Sequence, residues 1–199
     1  MADTDLFLVR HGETEWSRDR RHTSRTDLPL LPAGLERAEH LRRRLAGERF
    51  GAAFTSPLRR ARETARLAGF PEATVEPLLR EWDYGEYEGV TSAQVRQSRP
   101  QWDLWRDGCP GGESPQAVLE RARHCLQRLL DAASEGAVIA FSHGHFIRAL
   151  ALAFLDWPAP SGAGLALDTA AVCVLRSSDR DRLLQLWNSL EHLPGEVRD

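Results

Sequence analysis

Residues 6–16 read LFLVRHGETEW, and the fold turns on how that stretch is parsed. Four apolar residues, Leu6 to Val9, fit a buried strand of a parallel sheet, and the run stops abruptly at a cation, an imidazole and a glycine. Val138 to Phe141 is a second apolar strand that also ends in a histidine, in FSHG. Between and around these two strands the helix signals are strong. Ala33 to Glu48 carries Leu35, Ala38, Leu41 and Leu45 on one face. SPLRRARETARLAG has Ser56 as N-cap, Pro57 in the first turn and Gly69 past the end. Ser114 and Pro115 open a third helix, with Val118, Leu119, Ala122, Leu126, Leu129 and Leu130 in phase, and Phe146 to Leu155 is a fourth.

Ala52 to Thr55 and a short piece at Thr74 and Val75 are strand-sized, and Ala171 to Leu175 with Leu183 to Trp187 read as a closing hairpin. Arg20 to Pro32 and Pro158 to Gly164 read as loops. Strands alternating with helices predict an α/β fold, a mostly parallel central sheet with helices on both faces. Ligands of such sheets gather beyond the carboxyl ends of the strands, so VRHG and FSHG should open onto the same edge. No repeat, low-complexity tract or linker divides residues 1–199, which predicts a single domain; residues 90–113, with Trp102 and Trp105, read as an excursion from its core.

Composition narrows the chemistry. A chain of 199 residues that is 42% hydrophobic can bury one good core. Its net charge of −3, with 28% charged residues, suggests no nucleic-acid surface. The acidic opening MADTD and the lack of an apolar run of transmembrane length predict a cytoplasmic protein with no export signal and no membrane partner. Cys109, Cys125 and Cys173 match no zinc spacing and read as reduced and structural. All 26 basic residues are Arg, which removes a P-loop lysine, Schiff-base chemistry and a lysine base. Any phosphate must be held by arginine and backbone amides.

Taken alone, Arg10 beside His11 is a strand end meeting solvent. Gathered at one edge with His143 and an arginine from the 56–69 helix, the pair suits phosphoryl transfer. A neutral imidazole attacks phosphorus, neighbouring cations keep the ring neutral, and preorganised donors stabilise the spread charge of the transferred group.

The runs LVRHGETEW, SPLRRARET, EWDYGEYEG and SHG, in this order, resemble the histidine phosphatase superfamily, also called phosphoglycerate-mutase-like. The resemblance implies that His11 carries a phosphohistidine and that Arg10, Arg60 and His143 hold the phosphoryl oxygens, without metal or cofactor. It implies that Glu81 protonates the leaving oxygen and then activates water, with an acidic pH optimum; Asp83, Glu86 and Glu88 are rivals in the same stretch. Without the motif, Arg60 reads as a solvated helix face and His143 as a satisfied strand-end histidine or, with His145, half of a metal site.

Ser17 and Ser24 stand where many relatives have Asn and Gly; Ser17, Thr23 and Ser24 are expected beside the phosphate through hydroxyl and amide groups. Gly144 is expected to line the pocket, and His145 and Arg148 read either as pocket-lining or as structural residues. Trp82, Tyr84, Trp102 and Trp105 read either as an aromatic wall, with the 90–113 segment over the substrate and Arg106 reaching a second anionic group, or as ordinary loop anchors. TSAQVRQSRPQWDLWRDGCPGGES and SHGHF resemble the branch of acid phosphatases and sugar bisphosphatases, which implies hydrolysis of a small phosphorylated metabolite such as a sugar phosphate. A cofactor-dependent phosphoglycerate mutase is the alternative, and a catalytically dead phosphate-binding module a further one. A homodimer through an exposed sheet edge near Ala171 to Leu175 is the oligomer this reading offers.

Overall fold

A computed structural model describes residues 4–133, 136–178 and 181–194, so residues 1–3 of the acidic opening lie outside it. Strand β1 (Thr4–Arg10) lies parallel to β4 (Ala137–Ser142), with Arg10 level with Ser142. The six-stranded sheet runs β3-β2-β4-β1-β5-β6, where β2 is Phe50–Thr55, β3 Thr74–Val75, β5 Val172–Ser177 and β6 Arg182–Ser189. The first four strands are parallel and the closing hairpin is antiparallel.

Alternation along the strands builds two cores. Leu6, Leu8, Val138, Ala140, Cys173 and Leu175 face one side, where α6 (Pro115–Asp131) and α7 (Gly144–Leu155) cover them. Phe7, Val9, Ile139, Phe141, Val172 and Val174 face the other, under α2 (Pro32–Leu45) and α3 (Arg59–Leu67). Apolar residues on both faces of each strand explain why these strands read as continuous hydrophobic runs.

Several expectations change. Ala171 to Leu175 is no exposed edge: β5 is paired on both sides, and the edges are β3 and β6. Ser56 does not cap a helix that starts at Pro57; α3 begins at Arg59 after the extended Leu58, and Asp27 takes the Arg59 amide at 2.8 Å. The loop expected at Pro158 to Gly164 is a 3-10 helix over Ala159–Gly164. Segment 90–113 forms α4 (Ser92–Ser98) and α5 (Leu104–Asp107), but Trp102 and Trp105 are buried in the core, Trp105 edge-on against Trp82 at 5.1 Å. These rings anchor the segment. Among the four aromatic residues proposed as a wall, Tyr84 is the one that lines the cavity over His11.

Candidate active site

Because β1 and β4 are neighbours in register, the residues after them meet. The His11 amide donates to the Ser142 carbonyl at 3.0 Å, and the His11 and His143 ring centroids are 5.2 Å apart. Both imidazoles are buried. His11 Nδ1 lies 2.7 Å from the carbonyl of Gly12, which can only accept, so Nδ1 carries the proton and Nε2 keeps its lone pair. Burial pushes the His11 ring well below its ordinary pKa, and the Arg60 and Arg10 cations push it further. The arrangement holds a neutral imidazole in a cationic pocket.

Arg60 is fully buried. Its Nε donates to His143 Nδ1 at 3.2 Å, while Nη1 donates to the Thr26 carbonyl and Nη2 to those of Thr23 and Ser24. His143 Nδ1 is therefore an acceptor, and Nε2–H donates to Ser56 Oγ at 2.7 Å. Burial, then Arg60, lowers the His143 pKa well below its usual value. Thr64 ties this helix to the glycine after His11: its hydroxyl accepts the Gly12 amide at 3.0 Å and donates to the Arg60 carbonyl at 2.7 Å.

Arg10 leaves the end of β1 with Nη1 bonded to the Leu167 carbonyl at 2.5 Å and a buried Nε that has no hydrogen-bond partner. Gly144, the first residue of α7, makes room for it. A Cβ there would meet Arg10 Nε at 3.2 Å and Cζ at 3.3 Å. Gly144→Ala should therefore separate stability from activity. At the first position of a helix alanine gains less than the roughly 1 kcal/mol that it gains over glycine in an interior, which partly offsets the contact with Arg10, so the melting temperature should change little. A displaced Arg10 should lower kcat/KM by about tenfold; equal loss of both would count against this reading.

Glu81 is buried against the N-terminus of α7. Oε1 accepts the amides of Trp82 and Phe146, each at 2.9 Å, and Oε2 accepts that of His145 at 3.2 Å. Arg121 supports the segment from behind, donating to the Leu78, Arg80 and Glu81 carbonyls and pairing with Glu113 through two 2.7 Å bonds. Tyr84 Oη and His145 Nδ1 are 2.6 Å apart beside it. Burial, then Arg148, lowers the His145 pKa. Burial raises that of Tyr84, so this bond joins two neutral groups.

A cavity of about 530 Å³ opens over these groups, lined by Arg10, His11, Ser17, Thr23, Glu81, Gly144 and His145 among others. Arg60 and His143 lie beneath it. Three expected contributors have their polar groups engaged elsewhere. The Ser24 hydroxyl and amide bind Glu88, which also takes the Thr26 amide, so Ser24 shapes the loop rather than the cavity wall. Burial raises the Glu88 pKa, and these hydrogen bonds outweigh it and hold the group below its usual value. Arg106 is exposed on a separate depression with Arg99 and Pro100, pairing with Asp107 and the Gln101 carbonyl, and does not reach the His11 cavity. The Ser17 hydroxyl is taken up by Thr14 in the capping box of α1 (Glu15–Arg18).

Three buried imidazoles with lowered pKa values give a stability prediction. As pH falls below about 6.5, the unfolded chain takes up protons that His11, His143 and His145 refuse in the folded state. Folding free energy should fall by up to about 1.4 kcal/mol per pH unit for each of them. Urea unfolding from pH 7 to pH 5 measures it, and a flat profile would contradict the neutral rings.

The mostly parallel sheet delivers an uncharged imidazole between the Arg10 and Arg60 guanidinium groups, an arrangement suited to phosphoryl transfer. The model of the histidine phosphatase superfamily, branch 1, matches residues 6–190, and the chain belongs to that family. It is 41% identical to an acid phosphatase of Mycobacterium tuberculosis over 84% of this chain and 83% of that protein. It is 35% identical to the sedoheptulose 1,7-bisphosphatase of Saccharomyces cerevisiae over 71% of this chain and 64% of that one. A solved structure of a Mycobacterium tuberculosis open reading frame superposes with a TM-score of 0.88 at 38% identity, covering 93% of this chain and 97% of the other. Among the described residues no helix is long and apolar enough to cross a membrane, and no cluster of three metal-ligating side chains occurs.

Proposed function

We propose that this protein hydrolyses phosphomonoesters of small metabolites, sugar phosphates among them, through a phosphohistidine on His11. The observation that carries the proposal is the 2.7 Å approach of His11 Nδ1 to the Gly12 carbonyl, which leaves Nε2 unprotonated in a pocket where cations keep the ring neutral. Nε2 attacks phosphorus, the N–P bond forms and the ester P–O bond breaks. Arg10, which lines the cavity, takes the charge on the phosphoryl oxygens, the Arg60 cation acts on it from beneath, and His143 joins them when its Nε2–H turns from Ser56 to a phosphoryl oxygen. Glu81 gives a proton to the leaving oxygen, then takes one from the water that cleaves the N–P bond and frees inorganic phosphate. A ring that stays neutral in mild acid keeps the nucleophile available there, in keeping with the acid phosphatase relative.

The cysteines are free and buried, as suits a cytoplasmic protein. Phosphate release from a panel of phosphorylated metabolites, beside an assay with 3-phosphoglycerate and 2,3-bisphosphoglycerate, tests the reading. Brisk isomerisation with no phosphate release would replace the hydrolase by a mutase.

A further inference from the structure

The cavity over His11 carries more positive charge than one phosphoryl group needs. Arg10, Arg18, Arg20, Arg21, Arg37 and Arg148 face it, against the carboxylates of Glu13, Glu81 and Asp168. Arg148 differs from the exposed rim arginines. It projects from α7 one turn beyond Gly144, and its Nε is buried without a hydrogen-bond partner. An unpaired buried donor is costly, and such groups persist where something outside the chain completes them.

The charge of Arg148 acts on Arg10 and His145, which line the cavity with it. Arg148 lines the same cavity as His11 and Arg10, and it stands on α7 while they stand at the end of β1. We propose that Arg148 anchors a second anionic group, phosphate or carboxylate, on the same small substrate, so that the site selects doubly anionic metabolites over simple monoesters. This deepens the phosphatase reading and rests on it. It gives to Arg148 the role that the sequence offered to Arg106, which lies outside the cavity.

Matched substrates that differ only in the second anion test it: fructose 6-phosphate against fructose 1,6-bisphosphate, and glycerol 3-phosphate against 3-phosphoglycerate. The wild type should prefer the doubly anionic member in kcat/KM by about tenfold or more, as expected for a charge-assisted contact, with the difference in KM. The first pair reads a phosphate and the second a carboxylate, and preference in either pair supports the proposal. Arg148→Gln should erase the preference with a much smaller loss on the monoesters, Arg148→Lys should restore part of it as a point charge, and Arg106→Gln should behave as wild type.

A wild-type ratio near one in both pairs overturns the proposal, as does Arg148→Gln lowering both members alike. If Arg148→Gln fails to fold, the wild-type ratios and the lysine variant decide. 4-Nitrophenyl phosphate separates the two layers. Its hydrolysis without anion preference sinks this inference alone, whereas no turnover of any ester sinks the hydrolase.

Discussion

His11→Ala is expected to reduce phosphate release from every ester by about 10⁴-fold or more, because the variant removes the atom to which phosphorus is transferred. The loss should come without unfolding. The backbone of residue 11 keeps its bond to the Ser142 carbonyl and still accepts the Ala170 amide, and neither depends on the side chain. The ring itself contributes one hydrogen bond, to the carbonyl of the adjacent Gly12. Removing it also relieves a polar ring desolvated beside Arg10 and Arg60. Unfolding free energy should change by less than about 2 kcal/mol, within the range of an ordinary point substitution. Arg10, Arg60 and His143 remain, so vanadate should still raise the melting temperature. Labelled phosphate trapped by an alkaline quench, in which a phosphoramidate survives, should appear on the wild type and be absent from the variant. A phosphoprotein formed by His11→Ala would move the nucleophile elsewhere.

The parts of this site that sequence made legible are those coded locally. VRHG and FSHG announce themselves because each follows a strand buried on both faces, and neighbouring parallel strands bring their ends together. The parts that were not legible are held by long-range polar contacts. Asp27 caps a helix 32 residues later, Glu88 closes on Ser24 across 64 residues, and Ser56 meets His143 across 87. No periodicity records such pairs. Ser56 followed by proline carries the composition of an N-cap, yet its hydroxyl accepts the Leu58 amide ahead of the helix and orients an imidazole as well. Arg106 and Arg148 show the same limit from another side. Both are arginines near plausible segments, and only the packing of α5 and α7 decides which one faces the cavity. The aromatic residues were ambiguous for a related reason, since a large ring serves a core and a binding wall equally well. Trp102 donates its indole N–H to the Gly108 carbonyl and Trp82 to that of Glu113, which satisfies their polar edges inside the fold.

Glu81→Gln should reveal the proton carrier by its dependence on the leaving group. An alkyl phosphate expels a strongly basic oxygen and needs the proton, so its first chemical step should slow by about 10²- to 10⁴-fold. 4-Nitrophenolate leaves without help, so the rapid release of nitrophenol in the first turnover should survive. The second step is expected to suffer for both esters, since activation of water falls to the same carboxylate. A nitrophenol burst followed by slow turnover, with phosphoenzyme accumulating, is therefore the expected signature. The substitution also has a structural cost that must be read separately. Glu81 accepts the amides of Trp82, His145 and Phe146 with its two oxygens, and glutamine offers a single acceptor and turns an NH₂ group toward one of those donors. A loss of about 1–3 kcal/mol in stability follows from the unpaired amide. A shift of α7 from that cause would move Gly144 and, through it, Arg10, which would slow the alkyl and nitrophenyl first steps together. Leaving-group selectivity thus assigns Glu81 as the acid, and a uniform loss would reduce it to a support for the helix that positions Arg10.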